Sequence, residues 1–223
     1  LSIPDMGHRR SRAQRRRARK ATRTSGDSAN KLDQASAVQF LDDFREYCET
    51  LRDRLVSVAH PVPNLPRVIG VTGCSHQSGV TTIASGLALA LARGGNDRVL
   101  LVDVDPGHGS AHRVFGINPS GGLADVLSDA NGNQAIVERN LYLVSSTAAA
   151  KETSLSVSEQ VRSVIKQTAD GAYDFIVLDM PPVSDTSLAV RMPGMIHAAV
   201  LVIEAEKVNE EIACRARDLL LRE

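Results

Sequence analysis

Residues 68–82 read VIGVTGCSHQSGVTT, an apolar run followed by a turn rich in small and polar residues. An apolar run without polar alternation is typical of a strand that is buried on both faces of a parallel sheet. Beyond the turn, apolar side chains recur at helical spacing at Ile83, Leu87 and Leu91. A strand, a short turn and a helix in this order direct backbone N–H groups and a helix N-terminus toward one point. We therefore predict a phosphate-binding turn, with an α/β turn that binds nothing as the alternative.

From residue 67 onward, short apolar runs alternate with helix-like stretches. The runs predict further strands at residues 99–104, 141–145, 175–178 and 199–203. The stretches predict helices at residues 81–93, 122–127, 158–168 and 209–221. This alternation indicates an α/β domain over residues 67–223, with a doubly wound, mostly parallel sheet and a ligand site at the carboxyl ends of the strands.

Carboxylates stand at the ends of two predicted strands, as Asp103 and Asp105 at one and as Asp179 at the other. A buried carboxylate is costly unless it meets a cation, and oxygen ligands suit Mg²⁺. We therefore expect Mg²⁺ between Thr81 and Asp179, directly or through water, with Asp103 as a further ligand. Asp103 and Asp105 are also candidate catalytic residues, with Asp103 orienting an attacking water or hydroxyl. The alternative is that these acids only cap helices or keep the strand ends solvated.

The N-terminal part of the chain is organised differently. Between His8 and Arg23 there are nine Arg or Lys and no acid, so we interpret residues 1–30 as a disordered basic arm. An anionic membrane surface suits such an arm, nucleic acid suits it less, and a solubilising tail is the alternative. Residues 61–66 are rich in proline and predict an extended linker.

Residues 31–60, between the arm and the linker, predict an amphipathic helix. Its apolar positions lie near helical spacing, with charged residues between them. These positions are Val38, Leu41, Phe44, Leu51, Leu55 and Val58.

Composition excludes several classes of protein. No apolar run approaches the roughly 20 residues of a membrane-spanning helix, so we expect no such helix in this chain. The three cysteines have no paired spacing, which argues against a disulfide framework or a four-cysteine zinc site and favours a reducing compartment. An aromatic content of 3% without Trp argues against a base-stacking platform for single-stranded nucleic acid.

Several motifs together resemble the deviant-Walker P-loop ATPases, and among them the cytoplasmic domain of the bacterial tyrosine kinases of capsule and exopolysaccharide synthesis. The resemblance is carried by the turn at 73–82, HRVFG at 112–116, GGLADVL at 121–127 and YDFIVLDMPP at 173–182. EYCETLR at 46–52 is similar to the helix through which family members assemble into rings. The similarity runs from about residue 46 to residue 221.

The resemblance implies a P-loop NTPase fold, ATP and Mg²⁺ as cofactors, and phosphoryl transfer to protein tyrosine. It implies that one continuous set of residues binds the nucleotide: Ser75, His76, Gln77, Ser78, Gly79, Val80, Thr81 and Thr82. The implied partner is a transmembrane polysaccharide co-polymerase or chain-length regulator, together with self-association. The implied location is cytoplasmic, peripheral to the inner face of the cell membrane.

The chain also departs from the family pattern. Val80 stands where the P-loop lysine is expected, Gly107 where an arginine follows the second acidic motif, and Glu49 where the assembly helix has its first arginine. A lysine about 4 Å from a phosphate charge contributes roughly 4 kcal/mol at an effective dielectric of 20. The sequence shows no tyrosine-rich tail, so we expect no self-phosphorylation on such a tail.

Three hypotheses for the function follow from these observations. The first is an ATP-binding, tyrosine-kinase-like regulator of exopolysaccharide or capsule biosynthesis whose catalysis is weakened by the loss of the lysine. The second is a non-catalytic partner of a kinase or of a membrane-bound chain-length regulator. The third is a partitioning-type ATPase that contacts DNA through the basic arm.

Overall fold

The computed structural model describes residues 41–59, 65–105, 111–117, 135–145, 156–168, 171–183 and 194–221. The helices are α1 (Arg45–Val58), α2 (Val80–Arg93), α3 (Ala111–Val114), α4 (Val157–Gln167) and α5 (Glu210–Leu220). The strands are β1 (Arg67–Gly73), β2 (Val99–Asp103), β3 (Ala135–Glu138), β4 (Leu141–Ser145), β5 (Phe175–Asp179) and β6 (Ala198–Val202). The predicted basic arm, the helix at 122–127 and the substitution at Gly107 lie outside the described residues, as do most of the linker and residues 31–40 of the first predicted helix.

The described strands form one six-stranded sheet in the order β3-β4-β2-β5-β1-β6. All neighbouring pairs are parallel except β3 and β4. The prediction of a mostly parallel α/β sheet is therefore confirmed. The sequence analysis missed β3, a four-residue strand that turns directly into β4. So short a segment leaves almost no periodicity to detect.

Helices cover both faces of the sheet, as the doubly wound arrangement requires. Alternate residues of the central strands point to opposite faces. Ile69 and Leu101 belong to the apolar cluster that includes α2, whereas Leu100 and Ile176 belong to the cluster that includes Val164 of α4. These strands are therefore buried on both sides, which explains their uninterrupted apolar sequences.

The edge strand β6 departs from this pattern. The strand that we predicted at residues 199–203 is present, but its residues are half-buried and Ala199 is exposed. Among the described strands, β6 pairs only with β1 and so forms one edge of the sheet. Its bounds also shift by one residue, which leaves Ile203 exposed after the strand ends.

Helix α1 packs against α2 through an unusually close contact. A Cβ atom built on Gly86 would lie 2.5 Å from the Sγ of Cys48, so only glycine permits this approach. Arg52 donates a hydrogen bond of 3.2 Å from its guanidinium to the carbonyl of Ala90, near the C-terminus of α2. The amphipathic helix over residues 31–60 stays a prediction, but the assignment of Val58 to its apolar face was wrong, because that side chain is 64% exposed.

None of the helices in the described ranges combines the length and the apolar character needed to cross a membrane.

Candidate functional site

The turn between β1 and α2 is held in a strained, closed conformation. Gln77 and Gly79 both adopt positive φ angles, of 61° and 85°. The conformation is natural for Gly79, which precedes the first residue of α2, whereas at Gln77 it costs on the order of 1 kcal/mol. The hydroxyl of Ser78 donates a hydrogen bond of 2.9 Å to the carbonyl of Ser75, which closes the turn on itself.

Gly73 lets the end of β1 lie directly against this turn. A Cβ atom at Gly73 would stand 2.5 Å from the Oγ of Ser78 and 2.8 Å from the Cγ2 of Val80. Val80 itself is only 9% exposed and belongs to the apolar cluster shared with α2. At the position of the expected lysine, the chain thus carries a side chain that contributes to the core.

The turn lines a cavity of about 430 Å³ at the carboxyl ends of the parallel strands. All eight residues that we predicted to bind nucleotide, from Ser75 to Thr82, line this cavity. The rest of the lining comes from the last residue of β5 and from residues that follow β2 and β5: Asp105, Asp179, Met180, Pro181 and Pro182. The geometry brings the predicted turn and two of the predicted acids together, while nucleotide binding itself stays a prediction.

Asp179 is a buried acid at this site with a strongly raised pKa. It is 2% exposed and stands opposite Asp103 in the register of β2 and β5. The hydroxyl of Thr81 donates a hydrogen bond to the Asp179 carboxylate, yet its Oδ2 atom is buried and has no hydrogen-bond partner among the described residues. Burial, and then repulsion from Asp103, raise the pKa of Asp179 to about 8.

Asp103 and Asp105 occupy different environments, although we predicted related roles for them. Asp103 is completely buried and does not line the cavity. Its carboxylate accepts backbone N–H bonds from Asp105, at 3.3 Å, and from Ala111, at 3.2 Å. Asp105 is half-buried and lines the cavity. The catalytic and metal-binding roles of Asp103 stay predictions, and Asp105 is the member of the pair that reaches the space where a ligand fits.

Sequence reasoning did not assign Met180, Pro181 and Pro182 to the site, although they line the cavity. Two hydrogen bonds hold this segment against the end of β1. The hydroxyl of Thr72 donates to the carbonyl of Pro181 at 2.7 Å, and the N–H of Val183 donates to the carbonyl of Gly73 at 3.0 Å. The sequence could have assigned these residues to the site by their position, because they directly follow a predicted strand.

The residues present fit a magnesium ion. The buried Oδ2 of Asp179 lacks a partner that a cation would supply, and the hydroxyl of Thr81 is a second oxygen ligand beside it. Within the described ranges, no group of three or more His, Cys, Asp or Glu side chains is arranged to hold a metal ion. Water and phosphate oxygens would therefore complete the coordination, as Mg²⁺ prefers.

Comparison with known proteins identifies the family. The family model described as AAA domain matches residues 67–211, which is well over half of the chain and includes the whole cavity. The chain belongs to the AAA domain family.

Relatives of this AAA domain include proteins of bacteria that are named tyrosine-protein kinases. Tyrosine-protein kinase YwqD of Bacillus subtilis is 28% identical over 154 residues, covering 67% of this chain and 65% of that protein. Putative tyrosine-protein kinase CapB of Staphylococcus aureus is 25% identical over 68% of each protein. The resemblance to bacterial tyrosine kinases is thereby confirmed.

Solved structures confirm the fold of the AAA domain. The kinase domain of Escherichia coli tyrosine kinase ETK superposes with a TM-score of 0.66 at 21% sequence identity. The superposition covers 79% of this chain and 69% of that domain. The chain therefore shares the fold of that kinase domain.

The helix expected to mediate assembly has its own local pairing. Arg45 donates from its Nε to Glu49 at 2.9 Å, one helical turn away, so the reversed charge at position 49 is paired within α1. The neighbouring Tyr47 is 70% exposed. Self-association through this helix stays a prediction.

Proposed function

We propose that this AAA domain is a tyrosine-kinase-like, ATP-binding regulator of exopolysaccharide or capsule biosynthesis with weakened catalysis. The observation that carries the proposal is the buried Oδ2 of Asp179 in the lining of the cavity, which has no hydrogen-bond partner within the described part of the chain. A buried carboxylate oxygen of this kind is costly in isolation and is compensated when a cation and its anionic ligand enter. The names of YwqD and CapB as tyrosine-protein kinases support the same class of reaction.

In this proposal, different residues of the cavity bind different parts of Mg-ATP. The phosphates are bound by backbone N–H groups of the loop between β1 and α2 and of the first residues of α2. Thr81 and Asp179 would hold the metal, which would neutralise charge on the phosphates. Asp105, on the cavity wall, is placed to orient the group that accepts the phosphoryl, and Asp103 holds the backbone of Asp105 in position.

Val80 is the reason to propose weakened catalysis. Its side chain is apolar and packs into the core, so it supplies no charge to a phosphate. The roughly 4 kcal/mol that a lysine provides at about 4 Å corresponds to about three decades in affinity or rate. We therefore place the affinity for Mg-ATP in the micromolar to millimolar range.

Isothermal titration calorimetry tests the proposal directly. Purified protein is titrated with Mg-ATP, and the same titration is made with Asp179→Ala and with the control Asp97→Ala. Asp97 is exposed and precedes β2 at the opposite end of the sheet. We expect Asp179→Ala to weaken binding at least about tenfold and Asp97→Ala to leave it unchanged. Absence of heat from the wild type at millimolar nucleotide would refute the proposal.

A second candidate is a non-catalytic partner of a kinase or of a transmembrane polysaccharide co-polymerase or chain-length regulator. The incorporation of Val80 into the core favours it, because a position that serves packing has lost its role toward phosphate. This candidate predicts a stable complex without turnover, at the inner face of the cell membrane. ATP hydrolysis by the wild type that is abolished in Asp103→Ala would decide against it.

A further inference from the structure

The phenol of Tyr47 differs from the other tyrosines of this sequence in its access to solvent. The sequence contains three tyrosines, Tyr47, Tyr142 and Tyr173. Tyr47 is 70% exposed, whereas Tyr173 is 4% exposed and Tyr142 is half-buried. An enzyme that modifies a phenol has to surround it, so exposure of the side chain is the first requirement.

Tyr142 and Tyr173 are also held in place by packing. Their rings meet edge to face, with centroids 5.6 Å apart. The guanidinium of Arg98 lies 5.4 Å from the centroid of each ring. Tyr142 is in addition paired with Leu100 of β2 on one side and with Ile136 of β3 on the other. Neither phenol can enter the active site of another protein unless this part of the fold opens.

Tyr47 lies at the start of its helix, in contact with a near neighbour. It is the third residue of α1, and its ring contacts that of Phe44, with centroids 5.2 Å apart. Phe44 occupies the N-cap position but provides no side-chain hydrogen bond to the first turn. The first amides of a helix depend on such caps, so a first turn without one opens at low cost. The segment around Tyr47 can therefore extend into an enzyme while Arg52 and Leu55, farther along α1, hold the helix on the domain.

The residues around Tyr47 are predominantly acidic. Within five positions of it in the sequence stand four acids and two basic residues. The acids are Asp42, Asp43, Glu46 and Glu49. Opposite charge on a partner steers the encounter and fixes the orientation of binding. The segment therefore suits an enzyme that carries basic groups beside its active site.

We propose that Tyr47 is a phosphorylation site, at which a tyrosine kinase transfers the γ-phosphoryl group of a nucleoside triphosphate to this chain. The Oη of Tyr47 forms a bond to the γ-phosphorus, the bond from that phosphorus to the oxygen bridging the β-phosphate breaks, and the nucleoside diphosphate leaves with the electron pair. The phenolic proton passes to a base of the kinase. The proposal goes beyond the proposed function, because the chain serves here as the acceptor of the phosphoryl group. This chain itself and a separate tyrosine kinase are two sources of the same reaction.

Mass spectrometry of the full chain tests the site and separates the two sources. Wild-type protein is incubated with Mg-ATP in two arms, alone and with the kinase domain of Escherichia coli tyrosine kinase ETK. We expect the gain of one phosphoryl group in at least one arm, and fragmentation should place it on Tyr47. Phosphate gained by the protein alone assigns the transfer to this chain itself. Phosphate gained only with the added domain assigns it to a separate kinase.

Two substitutions identify the acceptor oxygen. Tyr47→Phe keeps the ring and removes the hydroxyl, so phosphorylation should be lost. Tyr142→Phe is the matched control and should be phosphorylated like the wild type. Undiminished phosphorylation of Tyr47→Phe, or phosphate on Tyr142 or Tyr173 of the folded wild type, would overturn the proposal.

Absence of phosphate from the wild type in both arms would overturn it as well. The calorimetric titration with Mg-ATP keeps this result separate from the proposed function. A chain that binds Mg-ATP but gains no phosphate retains the proposed function alone. A chain that is phosphorylated at Tyr47 but binds no Mg-ATP retains the present inference alone.

Discussion

At the scale of single residues, Gly73 and Val80 determine how the turn closes. Gly73 has no side chain, and this absence allows Ser78 and Val80 to lie where its Cβ would be. Val80 in turn fills space in the core. Contacts among Gly73, Ser78 and Val80 therefore contribute to the shape of the turn.

Gly73→Ala should therefore be strongly destabilising. The added methyl would lie 2.5 Å from the Oγ of Ser78, and overpacking of this kind costs about 1–3 kcal/mol. Gly95→Ala is the matched control, because the nearest atom to its Cβ is 3.7 Å away. Urea unfolding measures both variants. If Gly73→Ala lowers the free energy of unfolding no more than Gly95→Ala does, the packing argument is contradicted.

The buried Asp179 predicts how stability depends on pH in the absence of metal. Its pKa is raised from 3.8 to about 8 in the folded protein. Between these values the folded state keeps a proton that the unfolded state has released, so the free energy of unfolding falls as pH rises from about 4 to about 8. Each pKa unit corresponds to about 1.4 kcal/mol, which makes the loss on the order of a few kcal/mol.

Urea unfolding in EDTA over this pH range tests the prediction, with Asp179→Asn as the comparison. The difference between the wild type and the variant isolates this carboxyl from other titrating groups. We expect the variant to lack most of the decline. Parallel pH profiles for the two proteins would show that Asp179 titrates near its ordinary pKa.

At the scale of elements, α1 is fixed to the domain by its contact with α2. Cys48 lies against Gly86, and Arg52 bonds the carbonyl of Ala90 at the other end of the same interface. The contact is close enough to leave no room for a methyl group. The position of α1 against the domain thus depends on Gly86, which lies in the middle of α2, where glycine is otherwise unfavourable.

Gly86→Ala tests this interface. The substitution has two effects of opposite sign on the free energy of unfolding, one through helix propensity and one through the contact with Cys48. Alanine stabilises a helix interior by about 1 kcal/mol relative to glycine, but here its Cβ would lie 2.5 Å from the Sγ of Cys48. We expect a net loss of about 1–2 kcal/mol in the free energy of unfolding. In the Cys48→Ala variant, Gly86→Ala should lower the free energy of unfolding much less. Additive effects of the two substitutions in a double-mutant cycle would exclude the contact.

At the scale of the whole molecule, binding at the cavity should stabilise the entire domain. The cavity is built from segments that follow β1, β2 and β5, which are the adjoining central strands of the sheet. A ligand that binds only the folded state raises the free energy of unfolding by about 2.7 kcal/mol at 100 times its dissociation constant. Thermal unfolding with Mg-ATP should show this gain for the wild type and little of it for Asp179→Ala at the same concentration. An unchanged melting temperature for the wild type would mean that the folded state does not bind the nucleotide.

Much of the architecture was predictable because it follows from local patterns. The parallel strands are apolar throughout, since both faces are buried, and their approximate bounds could be found on that basis. The exceptions lie at the two edges of the sheet. The strand β3 is too short to show a period, and β6 has the composition of a buried strand although its residues are half-buried or exposed.

The amino-acid sequence by itself determined the alternation of strands and helices, the place of the turn, and the acids at the strand ends, because each depends on near neighbours in the chain. Only the tertiary structure decided that Asp105 reaches the cavity while Asp103 is buried behind it. The same holds for Val80 in the core and for the wall formed by residues 180–182. These outcomes depend on distances between segments far apart in the chain, and such distances are set by how the strands pair and how the helices pack on them.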